Sequence, residues 1–516
     1  MNAAPSALQH KTSVISLGAS GLDRGVESSG APLVRLQWQP VGDGSPEVAW
    51  NLAQLVGDDG DADCLGSWID RANAEVLERI LTAQPVWVDV AAHASEVWPD
   101  MGRTLLHAGP PIAWRDMCGP MKGAVVGAIL YEKWATTQQE AEQLVAAGGI
   151  RFAPCHEFGA VGPMTGIISP SMPLFVVQNQ TTGNRAYAPM MESGGAKTLR
   201  FGAFAPEVIE GLKLIENVLA PCLKAAVAGI DGGLPLKPLM SQSLHMGDDV
   251  HNRNTAATLL LYRAVTESLL KSSISRDLVH ETLRTIGADD MFFLSLSMAA
   301  CKATMDAAHG VPFSSIVTAM ARNGVNVGIR VSGLNGQWFV GPADIPVGLF
   351  LPGFSEADAN PDIGDSAITE TAGLGAFAMA AAPAMVQFVG GTPQDALRYS
   401  REMAHVTIGR NPGFTLPMLD FIGAPVGIDV RKVVDESMRP VINTATAHKE
   451  PGMGIIGAGV VQAPMKCFVD AVGALATVAG DDVASSLRTT AAVALPIEKI
   501  PQQRLRQHRE RTGGNR

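Results

Sequence analysis

The sequence predicts an α/β protein of several domains, and three observations carry that expectation. Its 516 residues exceed what one ordinary hydrophobic core holds, so about two to four domains are expected. Hydrophobic residues make up 47%, with 54 glycines and few aromatics, the balance of a compact enzyme rich in tight turns. Over residues 13–110, short apolar runs alternate with helical spacing.

Within that alternation, Val14–Leu17, Leu33–Trp38 and Val86–Val90 read as strands and Ile69–Leu81 as a helix. Gly18 and Gly21 after the first strand hint at a nucleotide-type turn, although the full G-x-G-x-x-G is missing. Proline- and glycine-rich loops between 110 and 200 separate short strands, Leu174–Asn179 among them. Glu207–Ala228 has amphipathic helical spacing, and 252–286 reads as a small helical module. Alternation returns after Phe292. Val325–Val331 has period two, with Asn326, Gly328 and Arg330 opposite Val325, Val327 and Ile329, and Asn335-Gly336 supplies a turn before Gln337–Val340. The uncharged run Ala372–Val389 contains Gly373, Gly375 and Pro383 and reads as a buried helix rather than a membrane span. The expected domains are 1–115 (α/β), 116–235 (α+β with motif loops), 236–290 (helical), 291–495 (α+β) and a basic, disordered tail at 496–516.

A net charge of −11 argues against nucleic acid and anionic membranes as partners. Met1–Ser13 lacks the apolar stretch of a secretory signal, and six cysteines without C-x-x-C spacing suit reduced thiols in the cytoplasm. Only 17% of residues are charged, which suggests surface covered by another subunit, a homo-oligomer included.

Against that sparse background, Leu244–Asn254 (L-H-M-G-D-D-V-H-N-R-N) concentrates polar chemistry. As a helix it would align His245, Asp248, Asp249 and Asn252 in one stripe. As a loop it would turn at Gly247 and cap the next helix with Asn252 or Asn254. His245, Asp248, Asp249 and His251 form the one candidate metal set. Their spacing matches neither H-E-x-x-H nor an EF-hand, so no metal is assigned.

Together with Arg103–Val125, Arg151–Pro173, Asn360–Gly375, Gly427–Lys432 and Asn443–Gly459, this segment resembles the YlbE-like, or AllG-type, family of bacterial proteins. The resemblance runs in consistent order from about Arg103 to Cys467. It implies a Rossmann-like N-terminal domain, which fits the alternation over 1–115. It further implies a cytoplasmic subunit of oxamate carbamoyltransferase in allantoin-type nitrogen catabolism, working with FdrA-type and other operon-encoded subunits. The implied reaction converts a ureido acid such as oxalurate, with phosphate, into oxamate and carbamoyl phosphate, and it calls for no cofactor. The alternative is a non-catalytic ligand-binding or scaffold subunit of an FdrA-type, acyl-CoA-synthetase-like complex.

Carbamoyl transfer needs a grip on phosphate or carboxylate, donors for a developing oxyanion, and a group that moves a proton at the amide nitrogen. His156 and His251 are the candidates for proton transfer, with Asp248 orienting the imidazole. Arg253, Arg322 and Arg330 are candidates for the anion, with Asn323 beside Arg322 where a helix is expected to turn into a strand. Glu370, in a nearly charge-free stretch, would order one of those arginines. His448 and Lys449, near the Gly452–Gly459 loop, complete the anion-binding candidates. Plainer alternatives stand beside them: a turn at Asn323-Gly324, a structural ion pair for Arg330, an N-cap for Asp365 or Ser366, and a buried Cys155. G-M-G-I-I-G at Gly452–Gly457 matches the dinucleotide fingerprint, but His448–Pro451 separates it from its strand. A backbone anion nest or a packing loop fits better. There is no Walker motif, no nucleophile elbow and no Ser-Thr-Arg-Thr phosphate loop, so a carbamoyl site here differs from that of the aspartate and ornithine carbamoyltransferases.

Overall fold

The helix Leu294–Ala307 locates the core. Every residue from Leu294 to Met305 is buried, and the run is uncharged except for Lys302. A helix without a polar face has no side to give to water, so structure must cover it all round. The computed structural model, which describes residues 14–17, 20–36, 40–56, 64–192, 195 and 197–478, shows that cover.

Against this helix lies a four-stranded antiparallel sheet in the order Arg185–Pro189, Leu174–Asn179, Pro85–Ala91, Leu234–Pro235. Phe175 sits at its centre, with ring centroids 5.5 Å from Trp87 and 6.3 Å from Phe292, both edge to face. A second four-stranded sheet runs Phe339–Pro342, Asn326–Val331, Val317–Asn323, Ile363–Gly364, again antiparallel. Val347–Phe350, Ile455–Gln462 and Val441–Ala447 make a three-stranded sheet, and Thr407–Leu416 pairs with Ile422–Ile428. Thr104–His107 and Arg151–Pro154 form a parallel pair. The result is a mixed α/β architecture of several small sheets.

Most expected elements are present, including the turn from Asn326–Val331 into Phe339–Pro342 and the two helices Thr255–Lys271 and Arg276–Gly287. The amphipathic run over 206–228 is one helical rod with a π-helical turn at Ile215–Leu219, where Pro221 withholds a backbone donor. The Rossmann-like N-terminal domain is not confirmed. Val14–Leu17 and Leu33–Leu36 form a parallel pair joined through the helix Ser20–Ser28, but Pro85–Ala91 belongs to the antiparallel sheet with Leu174–Asn179. Alternation along the chain reports element type; it does not say which strand pairs with which.

Two further expectations are corrected. Arg322 and Asn323 end the strand Val317–Asn323 and follow no helix. The run 372–389 is buried as far as Ala382, with Ala384, Gln387 and Phe388 exposed, and it is not one helix. It consists of 3-10 turns at Gly375–Ala381 and Pro383–Met385 and a short helix Val386–Val389, because Gly373 and Gly375 take φ of 89° and 59° and Pro383 interrupts the ladder. Gly18, Trp38, Met1–Ser13 and the basic tail lie outside the described residues. Among the described residues no helix is long and apolar enough to cross a membrane.

Phe175→Ala should remove a ring fully enclosed by Trp87 and Phe292 and cost about 3–5 kcal/mol, read as a lower urea midpoint. A loss below about 1 kcal/mol would mean that the aromatic cluster does not hold this sheet to the buried helix.

Candidate active site

The segment 360–376 carries three buried carboxylates close together in sequence. It leaves the short strand Ile363–Gly364 at the edge of the second sheet and re-enters the core at the turn of helix Ile368–Thr371. Asp362, Asp365 and Glu370 are all buried along it, and each requires a partner.

Asp362 takes Arg322. The guanidinium is fully buried and forks onto the carboxylate, Nε to Oδ2 at 2.7 Å and Nη2 to Oδ1 at 3.1 Å. Its remaining donors go to the Gly364 carbonyl at 2.6 Å and to the hydroxyls of Ser366 and Thr444. With its donors placed on internal acceptors, Arg322 has nothing left for a bound anion; it is a clamp between strands. Asn323 is also spent. Its amide donates to the Pro110 carbonyl at 3.0 Å, and its side-chain oxygen accepts from the Val325 and Asn326 amides, closing the turn at Gly324.

Glu370 takes His251. Its Oε1 lies 2.7 Å from His251 Nδ1 with both side chains buried, and it accepts besides from the Ala376 amide and the Thr369 hydroxyl. A Cβ at position 375 would collide with this pair, so Gly375 keeps the space open. The expected arginine partner for Glu370 is therefore replaced by the imidazole, and the expected orienting role of Asp248 falls to Glu370. The ring is fixed through Nδ1, and among the described residues Nε2 has no hydrogen-bond partner.

The motif 244–254 leaves its helix at His245 and turns at Gly247, so the polar stripe does not form. His245 is exposed and bonds Thr415 Oγ1 at 2.8 Å, away from the two aspartates. Asp249 accepts from the backbone amides of His251 (3.0 Å) and Arg253 (2.8 Å) and from the Asn443 side chain. Asp248 accepts from the Ala257 amide at 2.8 Å. It thereby caps the helix Thr255–Lys271 in place of Asn254, whose own amide is committed to the His251 carbonyl. Burial pushes Asp248 up to about 7 and raises Asp249 as well. Arg253 Nε lies 3.4 Å from Asp248 Oδ1, and its side chain is about one third exposed (34%). Between them Val250 is held at φ 62°, a strained conformation for a β-branched residue, and its amide bonds the Arg253 carbonyl at 3.1 Å.

Asp365 takes backbone. It accepts from the amides of Gly109 (2.8 Å) and Gly162 (3.0 Å), and burial pushes it up to about 7. His156 Nε2 stands 3.6 Å from it, and neither ring nitrogen of this buried histidine has a hydrogen-bond partner. Burial first, then Lys302, Arg330 and His309, hold His156 well below the ordinary histidine range. Arg330 faces the same place, with Cζ 5.8 Å from the Trp338 ring, which itself meets His156 edge to face. Cys155 is fully buried, and burial with nearby Asp365 raises its thiol far above the usual value, so it is no nucleophile.

His448 and Lys449 lie elsewhere. His448 Nδ1 accepts from the Glu450 amide at 2.9 Å, and Lys449 Nζ is drawn to the Ala357 carbonyl at 2.7 Å. Sequence reasoning passed over Asn443, Lys302, His309 and Trp338. Lys302 was open to the argument that selected Glu370, a charge inside a run of small apolar residues; the other three carry no local signal. Among the described residues no three His, Cys, Asp or Glu side chains converge as a metal site.

Fold and geometry together define a mixed α/β protein that buries two carboxylate–histidine pairs, His251 with Glu370 and His156 with Asp365. Comparison with known proteins narrows this class. The family described as "Oxamate carbamoyltransferase subunit AllG" matches residues 150–366. The oxamate carbamoyltransferase subunit AllG of Escherichia coli K12 is 47% identical over 410 residues, 79% of this chain and 98% of that protein. The uncharacterized protein YahG of the same organism is 45% identical over 460 residues, 89% of this chain and 96% of its own. A crystal structure of a conserved protein of unknown function from Enterococcus faecalis V583 matches with a TM-score of 0.77 at 46% identity, covering 80% of this chain and 98% of the other. The chain belongs to the AllG-type family.

Asp362→Ala should destabilise by about 3–5 kcal/mol, because it leaves the Arg322 charge buried without its partner. The double variant with Arg322→Met should recover part of that loss in chemical denaturation. Additive losses would show that the two residues are not energetically coupled.

Proposed function

We propose that this chain is a carbamoyltransferase subunit that interconverts a ureido acid such as oxalurate, plus phosphate, with oxamate and carbamoyl phosphate, and that His251 carries its proton transfer. The observation that carries this reading is the 2.7 Å bond from His251 Nδ1 to Glu370, which fixes the ring and leaves Nε2 as the nitrogen that exchanges a proton. In phosphorolysis, a phosphate oxygen attacks the carbamoyl carbon and the bond from that carbon to the amide nitrogen breaks. The attacking hydrogen phosphate gives up its proton and the departing nitrogen takes one, and His251 Nε2 passes it between them. Arg253, the next charged side chain along and partly open to solvent, would hold the phosphate or carboxylate. Asn252, whose amide nitrogen is buried without a partner, is the candidate donor to the oxyanion.

The subunit part of the reading is supported by the surface. The edge strand Val347–Phe350 exposes Val347 (80%) and Leu349, with Leu351 and Phe388 also exposed, an apolar strip suited to contact with another chain. FdrA-type and other operon-encoded subunits, or a second copy of this chain, would cover it in the cytoplasm. The same strip suits the alternative, a ligand-binding or scaffold subunit whose partner performs the chemistry.

Carbamoyl phosphate formation from oxalurate and phosphate, measured with the purified chain alone and then with its operon partners, tests the reading. Turnover is expected with the partners present. None under either condition would rule out this substrate pair. In the active preparation Glu370→Gln and His251→Asn should each lower turnover by about 10²–10⁴-fold. Arg253→Ala should raise the KM for phosphate or the ureido acid by roughly tenfold or more. Unchanged turnover in Glu370→Gln would move the chemistry to a partner and favour the scaffold reading.

A further inference from the structure

We propose a second binding site, for a tetrahedral oxyanion such as phosphate or a phosphoryl group, enclosed by His156, His309 and Arg330 and separate from the His251–Glu370 pair. Both ring nitrogens of His156, Nε2 of His309 and Nε of Arg330 are buried with no hydrogen-bond partner. Buried polar atoms are normally paired, and among the described residues these four orphans on neighbouring side chains mark a region that a ligand or solvent would satisfy, His156 Nε2 lying on the side of Asp365 at 3.6 Å. His156 is only 2% exposed, so these are not idle surface groups. Glu157 is exposed while His309, Arg330 and Trp338 are half-buried, which gives the position a route to solvent.

The surrounding parts look built for the purpose. Trp338 meets the His156 ring at 5.8 Å, lies 5.8 Å from Arg330 Cζ, and is itself fixed by a 3.1 Å bond from Nε1 to Glu157. His309 is oriented through Nδ1, 2.7 Å from the Thr318 hydroxyl. Lys302, fully buried, bonds the His156 carbonyl at 3.1 Å and Asp306 at 2.6 Å. The unpartnered groups come from a turn, a helix end and a strand, so together they could meet several oxygens of one oxyanion.

Charge points the same way. Arg330 and Lys302 act on both rings, and with burial they hold His309 down to about 4 and His156 lower than usual. The charged and titratable groups facing the rings are Lys302 and Asp306 from the buried helix, Arg330 from its strand, Glu157 and Cys155 from the turn, and Asp365. Lys302 is already neutralised by Asp306, whereas Arg330 feels Asp306 and Glu157 only at longer range. An arriving dianion would oppose both cations and restore protons to the imidazoles. Between the free and bound titration ranges, binding takes up protons, so affinity rises as pH falls, about tenfold per pH unit for each proton.

The test is calorimetric titration of the full chain with sulfate, whose charge does not change between about pH 6 and about pH 8, in two buffers of different ionisation enthalpy. The expected result is a site, retained in Arg253→Ala, that binds more tightly at the lower pH with measurable proton uptake. Arg330→Gln should weaken it at least about tenfold, and His309→Gln should reduce the proton uptake, both with melting temperatures near that of the parent. Phosphate should compete with sulfate, and Arg253→Ala should leave the site intact, which separates it from the His251 centre. No binding at millimolar sulfate, binding without pH dependence, binding indifferent to Arg330→Gln, or acetate binding more tightly than sulfate would each overturn the proposal. None of these outcomes depends on carbamoyl chemistry.

Discussion

Three carboxylates buried within nine residues of one another constrain this molecule more than any other feature. Taking Asp362, Asp365 and Glu370 out of water carries a desolvation cost of several kcal/mol for each charge, and the surrounding chain is arranged to offset it. Asp362 is answered by a two-pronged arginine from the neighbouring strand, Asp365 by two glycine amides, and Glu370 by an imidazole. Each answer ties a different part of the chain to one segment, so the second sheet, the motif loops near 109 and 162, and the turn at 248–254 are held in register by the same stretch. Replacing any of the three would loosen more than one junction.

The helix Leu294–Ala307 has a comparable role from the inside. Cys301 lies within the electrostatic reach of Glu370, while its neighbour Lys302 bonds the carbonyl of His156. One buried rod thus supports both histidine centres from adjacent positions. Small residues along it (Ala299, Ala300 and Ala303) are fully buried, and Lys302 finds its partners in the His156 carbonyl and Asp306. Its charge is met by Asp306 one turn later.

The contrast between the arginines follows from the same principle. Arg322 and Arg330 sit on adjacent antiparallel strands, yet one is saturated with internal acceptors and the other keeps an unpaired buried donor. A saturated guanidinium stabilises; one with a free donor is available to a ligand. Arg253 belongs with the second kind, held at its base by Asp248 and open at its tip. Family membership accounts for the segments in which these residues lie, and the pattern of satisfied and unsatisfied donors separates scaffold from candidate site within them.

The sequence by itself determined most of the element types, the motif segments and the family, because periodicity, turn residues and motif order are local properties. It also marked Glu370 and His251, since a charge in an apolar run and a cluster of polar residues are visible without coordinates. It assigned them the wrong neighbours. Glu370 and His251 are 119 residues apart, and Arg322 and Asp362 are 40 apart, and nothing in a carboxylate specifies which cation or ring will reach it. The strand Pro85–Ala91 shows the same limit: its apolar run was legible, but its antiparallel partners come from 174–179 and 234–235. Pairing, whether of strands or of charges, is settled only when distant segments share one buried volume and each polar group must find a partner inside it.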